Sequence, residues 1–224
     1  MLLSSPRSWS TIICSVALGL ALAAGCDSGP RFKSTDITGA DYGKTLELSD
    51  HTGRPRTLQD FRGKAVVVFF GFTHCPDVCP TTLADVSQAL KQLGPDAQRV
   101  QVLFVTVDPE RDTKEALAKY VTAFDPGFLG LYGDTAATQR AAKEFKVYYE
   151  KRKTDGGYTV DHSGQSYVID PQGRLRLFVR FQTQLAIGLV QGLEDVVGDV
   201  VHEVMAQRIN AGSAREVGAS WTGP

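Results

Sequence analysis

The sequence predicts an α/β fold with a central mixed β-sheet flanked by helices and followed by a C-terminal hairpin and helix. A continuous run of apolar residues, 65–70, and a second run, 100–107, that is apolar mainly in its second half are typical of strands buried on both faces. Amphipathic segments follow both runs, which gives the alternation of strand and helix found in parallel sheets. The turn sequence 170–173 (DPQG) separates two further apolar segments and indicates an antiparallel pair.

The elements can be placed in order along the chain. Helices are predicted where apolar residues recur every three or four positions. Gly94-Pro95 ends the first helix, and Asp112 is the predicted N-cap of the second. The last helix carries acidic residues among its apolar positions, which excludes a membrane span. The predicted elements are strand and turn 57–63, strand 65–70, helix 81–93, strand 100–107, helix 112–124, strand 128–132, helix 135–145, strands 166–169 and 175–180, and helix 185–204.

A parallel βαβ core closed by a hairpin and a helix is the element order of the thioredoxin fold. We therefore predict a thioredoxin-like domain over residues 44–207. Residues 208–224 are rich in Gly, Ala and Ser, and we expect a flexible tail there. The chain carries 24 basic and 25 acidic side chains without a run of like charges. This balance argues against a nucleic-acid-binding protein.

The first 25 residues have the pattern of an export signal peptide. Arg7 precedes an apolar run, 11–24, that is shorter than a membrane-spanning helix requires. Small residues follow this run, as they do at cleavage sites. An uncleaved membrane anchor is the alternative.

Residues 22–26 (LAAGC) resemble the lipobox of bacterial lipoproteins. The resemblance implies cleavage before Cys26 and a lipid on its sulfur, although Ala23 stands where the lipobox usually has Leu. Asp27 resembles a signal that retains lipoproteins in the inner membrane. We therefore expect residues 26–43 to form a lipid-attached tether or extended lead-in at the cell inner membrane, with the domain facing the periplasm. Cleavage without lipidation stays open.

Two of the four cysteines are left for the folded domain. Cys14 lies in the signal segment and Cys26 is the predicted lipid attachment site, so Cys75 and Cys79 remain. Their three-residue gap closes too small a loop for a disulfide to restrict the unfolded chain much. A redox-active pair or a site for a soft metal ion explains them better.

The predicted fold places both cysteines between a buried strand and the helix that follows it. A helix N-terminus lowers the pKa of nearby thiols, so we expect both sulfurs to ionise readily. Pro76 and Pro80 stiffen the loop. The C-x-x-x-C spacing suits chelation of one Cu(I) or Zn(II) ion with a third ligand, and it also permits a disulfide.

Four histidines are candidates for that third ligand. His162 is predicted on the loop before strand 166–169, which returns to the same edge as the cysteine loop. His74 adjoins Cys75 but is expected to point away from it. His51 lies in a predicted surface turn, and His202 lies on the last helix.

Three motifs in this chain resemble those of the SCO/SenC family of copper proteins, which assemble the CuA centre of cytochrome c oxidase. They are 70–80 (FGFTHCPDVCP), 107–112 (VDPERD) and 161–163 (DHS), and they occur in the family's order. The resemblance covers residues 58–178 and implies a thioredoxin-like fold.

The resemblance implies that Cys75 and Cys79 supply thiolate ligands and His162 an imidazole nitrogen to one copper ion. Two thiolates and one imidazole suit Cu(I), and they can hold Cu(II) with an added ligand. Asp77 and Asp108 are candidates to support the ligands from outside, although a turn role explains either residue.

We therefore predict a copper metallochaperone that hands copper to subunit II of cytochrome c oxidase after a thiol reductant has reduced the cysteine pair. The alternative is a thiol-disulfide oxidoreductase that reduces the cysteines of a copper-receiving protein. Against that role alone, Gln165 replaces the proline that thioredoxin-like oxidoreductases carry before the equivalent strand. Thr73 and Arg111 could serve a peroxidase site built on one activated cysteine. A peroxidase is disfavoured because the second cysteine and His162 would have no role in such a site.

Overall fold

Strand β4 (Ala65–Gly71) lies at the centre of the molecule, and all seven of its residues are buried. It pairs in parallel with β5 (Val100–Thr106), from Ala65 opposite Val100 to Gly71 opposite Thr106. Both strands are largely apolar and almost completely buried, as expected where each face of a sheet is covered. The computed structural model describes residues 34–180 together with residues 192, 193, 195, 196 and 198.

The other elements follow the predicted order, with additions. The remaining strands are β1 (Thr35–Asp36), β2 (Glu47–Asp50), β3 (Pro55–Thr57), β6 (Leu129–Tyr132), β7 (Tyr149–Thr154), β8 (Gly157–His162), β9 (Ser166–Ile169) and β10 (Leu175–Val179). The helices are α1 (Val78–Leu93), α2 (Lys114–Thr122) and α3 (Thr135–Glu144), with 3-10 helices at Leu58–Phe61 and Gly94–Arg99.

Eight of the ten described strands form a mixed sheet in the order β1-β10-β9-β4-β5-β6-β2-β3. Strands β4, β5 and β6 are parallel, and β9 and β10 are an antiparallel pair beside β4. The predicted α/β class with a C-terminal hairpin is therefore confirmed. Strands β7 and β8 form a separate two-stranded sheet, which the sequence analysis did not predict.

Three local predictions are wrong. Segment 57–63 is mainly a 3-10 helix, in which Leu58 and Phe61 turn into the core. Helix α1 begins at Val78, three residues before the predicted start, so Cys79 lies in its first turn. Asp112 does not cap α2, because the side chain of Thr113 accepts the hydrogen bond from Ala116 N–H.

Strand β1 pairs with β10, with Thr35 opposite Phe178. Residues before the predicted domain start at 44 thus already belong to the sheet. Of the predicted helix 185–204, the described residues are helical, and Leu193 and Val196 are buried. The rest of that helix, the signal segment, Cys26 and the tail lie outside the described residues. Within the described part of the chain, no helix is long and apolar enough to cross a membrane.

Candidate metal centre

The two cysteines lie where β4 gives way to α1. Cys79 is fully buried in the first turn of the helix, and Cys75 is half-buried in the loop before it. The loop folds back so that Cys79 N–H points at Cys75 Sγ over 3.4 Å. Pro80 follows within the first helical turn, where a missing N–H costs no helical hydrogen bond. Both cysteines are free thiols.

The sequence analysis placed His162 on a loop. In the structure it is the last residue of β8. Its Nε2 lies 3.4 Å from Cys79 Sγ. Its Nδ1 lies 3.0 Å from the carbonyl oxygen of Ser163. Because a carbonyl can only accept, Nδ1 carries a proton, and Nε2 is the ring nitrogen that faces Cys79 Sγ. The ring is held edge-on by Phe72 at 5.7 Å and Phe69 at 6.2 Å.

One sulfur from each cysteine and one ring nitrogen of His162 lie within 4.8 Å of one another. The predicted return of the histidine segment to the cysteine edge is therefore found. Two sulfurs and an imidazole nitrogen at this spacing can converge on one soft metal ion.

The two thiols share one proton. The hydrogen bond from Cys79, supported by His162 and two backbone N–H groups, lowers the pKa of Cys75 to about 3 against the opposing effect of burial. The same hydrogen bond, together with burial, raises the pKa of Cys79 above its ordinary value. The expectation that both sulfurs ionise readily is thus wrong for Cys79, because a second buried thiolate would lie beside the first.

An open groove of about 590 Å³ reaches this cluster from solvent. Cys75 and His162 line it, while buried Cys79 lies behind them. The remaining lining residues are Phe72, Pro76, Val78, Thr159, Val160, Asp161, Gly164, Gln165, Phe178 and Arg180. A partner can therefore approach the cluster from the side of Cys75 and His162.

The two aspartates that were candidates to support the ligands have different positions. Asp77 is exposed, and its backbone N–H, rather than its carboxylate, contributes to the low pKa of Cys75. Asp108 is buried and accepts hydrogen bonds from Arg111 Nε and from Tyr158 Oη. Neither carboxylate belongs to the ligand cluster.

The other histidines do not join the cluster in the described part of the chain. His74 is exposed, with Nδ1 3.0 Å from Thr73 Oγ1. His51 accepts a hydrogen bond from Gly130 N–H through Nδ1. His202 lies outside the described residues.

Asp112 is a functional neighbour that the sequence analysis missed. Its buried carboxylate accepts hydrogen bonds from Thr73 N–H, Thr73 Oγ1 and Thr106 Oγ1, at 3.0, 2.6 and 2.6 Å. These bonds tie the chain entering the cysteine loop to the end of β5. The local sequence offered an N-cap as a sufficient explanation, and only the tertiary fold brings Thr73 to this carboxylate.

Comparison with known proteins places this arrangement in a family. The family model described as SCO1/SenC matches residues 34–197, which include all three ligand candidates. The chain belongs to the SCO1/SenC family. The family resemblance seen in the motifs is thereby confirmed.

Individual members of the family agree in sequence and fold. The chain is 47% identical over 132 residues to the human mitochondrial protein SCO2 homolog, covering 57% of this chain and 50% of that protein. It thus spans about half the length of the curated relatives it matches.

Solved SCO structures match most of the described chain. ScoI from Bradyrhizobium japonicum, solved with copper bound, is 37% identical, with a TM-score of 0.62 over 70% of this chain and 98% of that one. Apo Sco1 from Thermus thermophilus is 39% identical, with a TM-score of 0.63 over 79% of this chain and 99% of that one. The predicted thioredoxin-like fold is confirmed by these neighbours.

Proposed function

We propose that this SCO1/SenC chain binds one copper ion through Cys75, Cys79 and His162 and delivers it to the CuA site of cytochrome c oxidase. The observation that carries the proposal is the convergence of the two sulfurs and the ring nitrogen within 4.8 Å. The Bradyrhizobium japonicum relative with copper bound supports the choice of metal.

The donor set fits copper as a cargo. Thiolates are soft ligands that select Cu(I), and three donors are sufficient for its coordination. Cu(II) would require a further ligand. The site already holds one thiolate at Cys75, so loading Cu(I) requires the loss of the proton on Cys79.

Delivery requires that an acceptor ligand reach the metal before the donor ligands leave. The groove leaves Cys75 and His162 approachable, while Cys79 is covered. An incoming thiolate or imidazole from oxidase subunit II can therefore replace one exposed ligand at a time. Cys79 would be the last ligand to be released.

We propose the cellular setting on the sequence alone. Residues 1–25 would be an export signal, and a lipid on Cys26 would hold the segment that leads into β1 at the inner membrane, facing the periplasm. The copper-binding domain would begin with β1, ahead of the predicted start at 44, and continue to 207, with a flexible tail over 208–224. A thiol reductant of this compartment would keep Cys75 and Cys79 able to take up the metal.

Anaerobic titration with Cu(I), followed by X-ray absorption, tests the proposal. The reduced protein is expected to saturate at one ion per chain, with two sulfur neighbours and one nitrogen neighbour. Saturation at a different ratio, or a copper shell without sulfur, would contradict it. Labelling Cys75 with iodoacetamide beforehand is expected to block uptake.

The second candidate function is reduction of disulfides in the copper acceptor. It is favoured by the low pKa of Cys75, which supplies an attacking thiolate. That thiolate would open the acceptor disulfide, forming a mixed disulfide and releasing the first acceptor thiolate, which takes the proton from Cys79. Cys79 would then attack Cys75 Sγ, releasing the second acceptor thiolate and leaving a Cys75–Cys79 disulfide for the external reductant. Stoichiometric reduction of an oxidised subunit II fragment, lost in Cys79→Ala, would support this candidate.

A further inference from the structure

The hairpin that carries His162 is not part of the main sheet. Its ladder joins only β7 and β8 in the described structure, from Tyr149 opposite His162 to Thr154 opposite Gly157. Main-sheet hydrogen bonds therefore do not set the position of the imidazole relative to the thiols. The short link from His162 to β9, which begins at Ser166, and side-chain contacts with the body of the domain do so.

A group of these contacts joins the hairpin to the segment after β5, residues 108–112, which we call the bracket. Arg111 Nη1 donates to the carbonyl oxygen of Tyr158, on β8, over 2.9 Å. The guanidinium carbon also lies 3.8 Å from the centre of the Tyr158 ring. The Tyr158 hydroxyl donates to Asp108 Oδ1 over 2.9 Å, and Asp108 Oδ2 accepts from Arg111 Nε. Backbone, ring and hydroxyl of Tyr158 are thus all held.

The bracket also reaches the other strand of the hairpin. Lys151 Nζ on β7 forms an ion pair with Glu110, and it lies 4.9 Å from the centre of the Tyr158 ring. This pair is solvent-exposed and contributes little by itself. The Lys151–Glu110 pair and the contacts of Arg111 together join the bracket to both β7 and β8.

At its other end the bracket holds the cysteine loop. Asp112 accepts two hydrogen bonds from Thr73, which lies two residues before Cys75. Arg111 also contacts the ring of Phe72, 5.8 Å from its centre, and that ring packs at 87° against His162. This five-residue segment, taken together, thus contacts both parts of the chain that supply the ligand atoms.

We propose that the bracket, residues 108–112, positions His162 against Cys75 and Cys79, with Arg111 as its principal positioning residue. The inference rests on the proposed copper site and identifies what keeps that site assembled. Partners that orient a metal ligand change metal affinity by about 10- to 100-fold when they are removed. Arg111 acts on affinity through the imidazole, since it touches neither sulfur.

A purely structural role for Arg111 predicts a different result, and the chain offers a matched control. Arg56 on β3 pairs with buried Asp50 as Arg111 pairs with buried Asp108, and the two arginine side chains are 24% and 25% exposed. Arg56 also lies over an aromatic ring, that of Phe61. Arg56→Ala therefore removes an equivalent buried interaction away from the ligand cluster.

The test is a double-mutant cycle of Arg111→Ala with His162→Ala, read by anaerobic Cu(I) titration against a competing chelator. Arg111→Ala is expected to raise the Cu(I) dissociation constant about 10- to 100-fold in the wild-type background. In the His162→Ala background it is expected to change the constant by no more than about twofold, because the two changes act through one ligand. Arg56→Ala is expected to leave the constant unchanged.

Each result decides the inference. An equal loss of affinity in both backgrounds, or none in the wild-type background, would overturn it. A wild-type protein that binds no Cu(I) would instead overturn the proposed function, on which the inference rests. The milder Tyr158→Phe, which keeps the ring and removes the bond to Asp108, covers the case in which Arg111→Ala does not fold. It is expected to weaken the copper–nitrogen contribution to X-ray absorption or to lengthen the copper–nitrogen distance, while keeping both sulfur neighbours. An unchanged nitrogen shell would overturn the inference.

Discussion

Cys79 Sγ lies 3.4 Å from His162 Nε2, although the two residues are 83 positions apart in the sequence. Cys79 belongs to the first turn of helix α1, and His162 to the last position of strand β8 in the separate hairpin. This contact joins two elements that share no backbone ladder in the described structure. The geometry of the metal site therefore depends on the contacts that hold Cys79 and His162 together.

Two of the candidate histidines, His162 and His74, should differ in how much their removal weakens Cu(I) binding. His162→Ala is expected to weaken Cu(I) binding at least about tenfold, or 1.4 kcal/mol, because it removes a ligand atom. His74→Ala removes an exposed imidazole outside the cluster and is expected to have no effect. Anaerobic titration of both variants checks this, and equal effects would place the third ligand elsewhere.

The two cysteines should also differ in reactivity. With a pKa of about 3, Cys75 is a thiolate at about pH 6, where a thiol of ordinary pKa 9.0 is protonated. We expect iodoacetamide to label Cys75 at a rate that is nearly constant above about pH 5, and to spare buried Cys79. Peptide mapping after timed labelling measures both rates.

The urea-unfolded protein is the control for this experiment, because both cysteines should then label equally and with the ordinary pH dependence. A folded-state Cys75 rate that rises only above about pH 8 would contradict the shared-proton arrangement.

Gly71 should tolerate no side chain, because it ends β4 against the buried thiol. A Cβ there would lie 2.7 Å from Cys79 Sγ and 2.8 Å from Phe104 Cε2. We expect Gly71→Ala to displace Cys79, to destabilise the fold by about 1–3 kcal/mol, and to weaken copper binding. Gly156→Ala, whose Cβ meets nothing within 4 Å, is the control. Urea unfolding with unchanged stability for Gly71→Ala would refute the close approach.

Asp112→Asn should destabilise the domain more than loss of an ordinary carboxylate does. The buried Asp112 carboxylate accepts three hydrogen bonds. The side-chain amide of asparagine would turn an N–H donor toward at least one of the three donating groups. A cost of about 2–3 kcal/mol in urea unfolding is expected. The matched variant is Asp134→Asn, at an exposed N-cap that accepts one bond from Ala137 N–H, and it should cost less than about 1 kcal/mol. Equal costs would argue against Asp112 as the tie to the cysteine loop.

Asp50 should make the free energy of unfolding depend on pH in the acidic range. Burial raises the pKa of Asp50, but bonds from Thr52, Arg56 and Arg54 outweigh it and hold the pKa at about 2, against 3.8 ordinarily. Between these values the unfolded chain binds a proton that the folded chain does not, so stability falls as the pH falls. The contribution, about 2 kcal/mol, is complete above about pH 4 and lost near pH 2.

Urea unfolding of wild type and Asp50→Asn across this range measures that effect. The difference between the two proteins should be largest near neutral pH and should narrow below about pH 4. A difference that stays constant down to about pH 2 would show that Asp50 is not held ionised by its neighbours.

The central sheet was predictable because β4 and β5 are long apolar runs that leave few alternatives. The hairpin β7–β8 was not, since 149–154 (YEKRKT) is almost entirely exposed and lacks apolar alternation. Its strands are held by contacts with Asp108 and Arg111, which are distant in sequence. A polar segment that forms strands through tertiary contacts carries little signal of its own.

The ligand candidates were identified from the cysteine spacing, the position of His162 and the family motifs, but the acidity of the thiols was not. A helix N-terminus favours ionisation of any nearby thiol, so each cysteine considered alone should be acidic. The structure puts Cys79 fully inside the core and beside the Cys75 sulfur, and this coupling reverses the direction for Cys79. Such coupling depends on a distance that sequence spacing does not fix.

The direction of β1 gives the domain an orientation. Thr35 pairs with Phe178, which lines the groove, so β1 begins at the end of the sheet at which copper would be held. If Cys26 carries a lipid, the stretch from there to Ser34 can extend no farther than roughly 30 Å. The metal would then be kept within a shallow layer over the bilayer. Its search for a membrane-embedded recipient would become two-dimensional rather than a diffusion through the whole compartment.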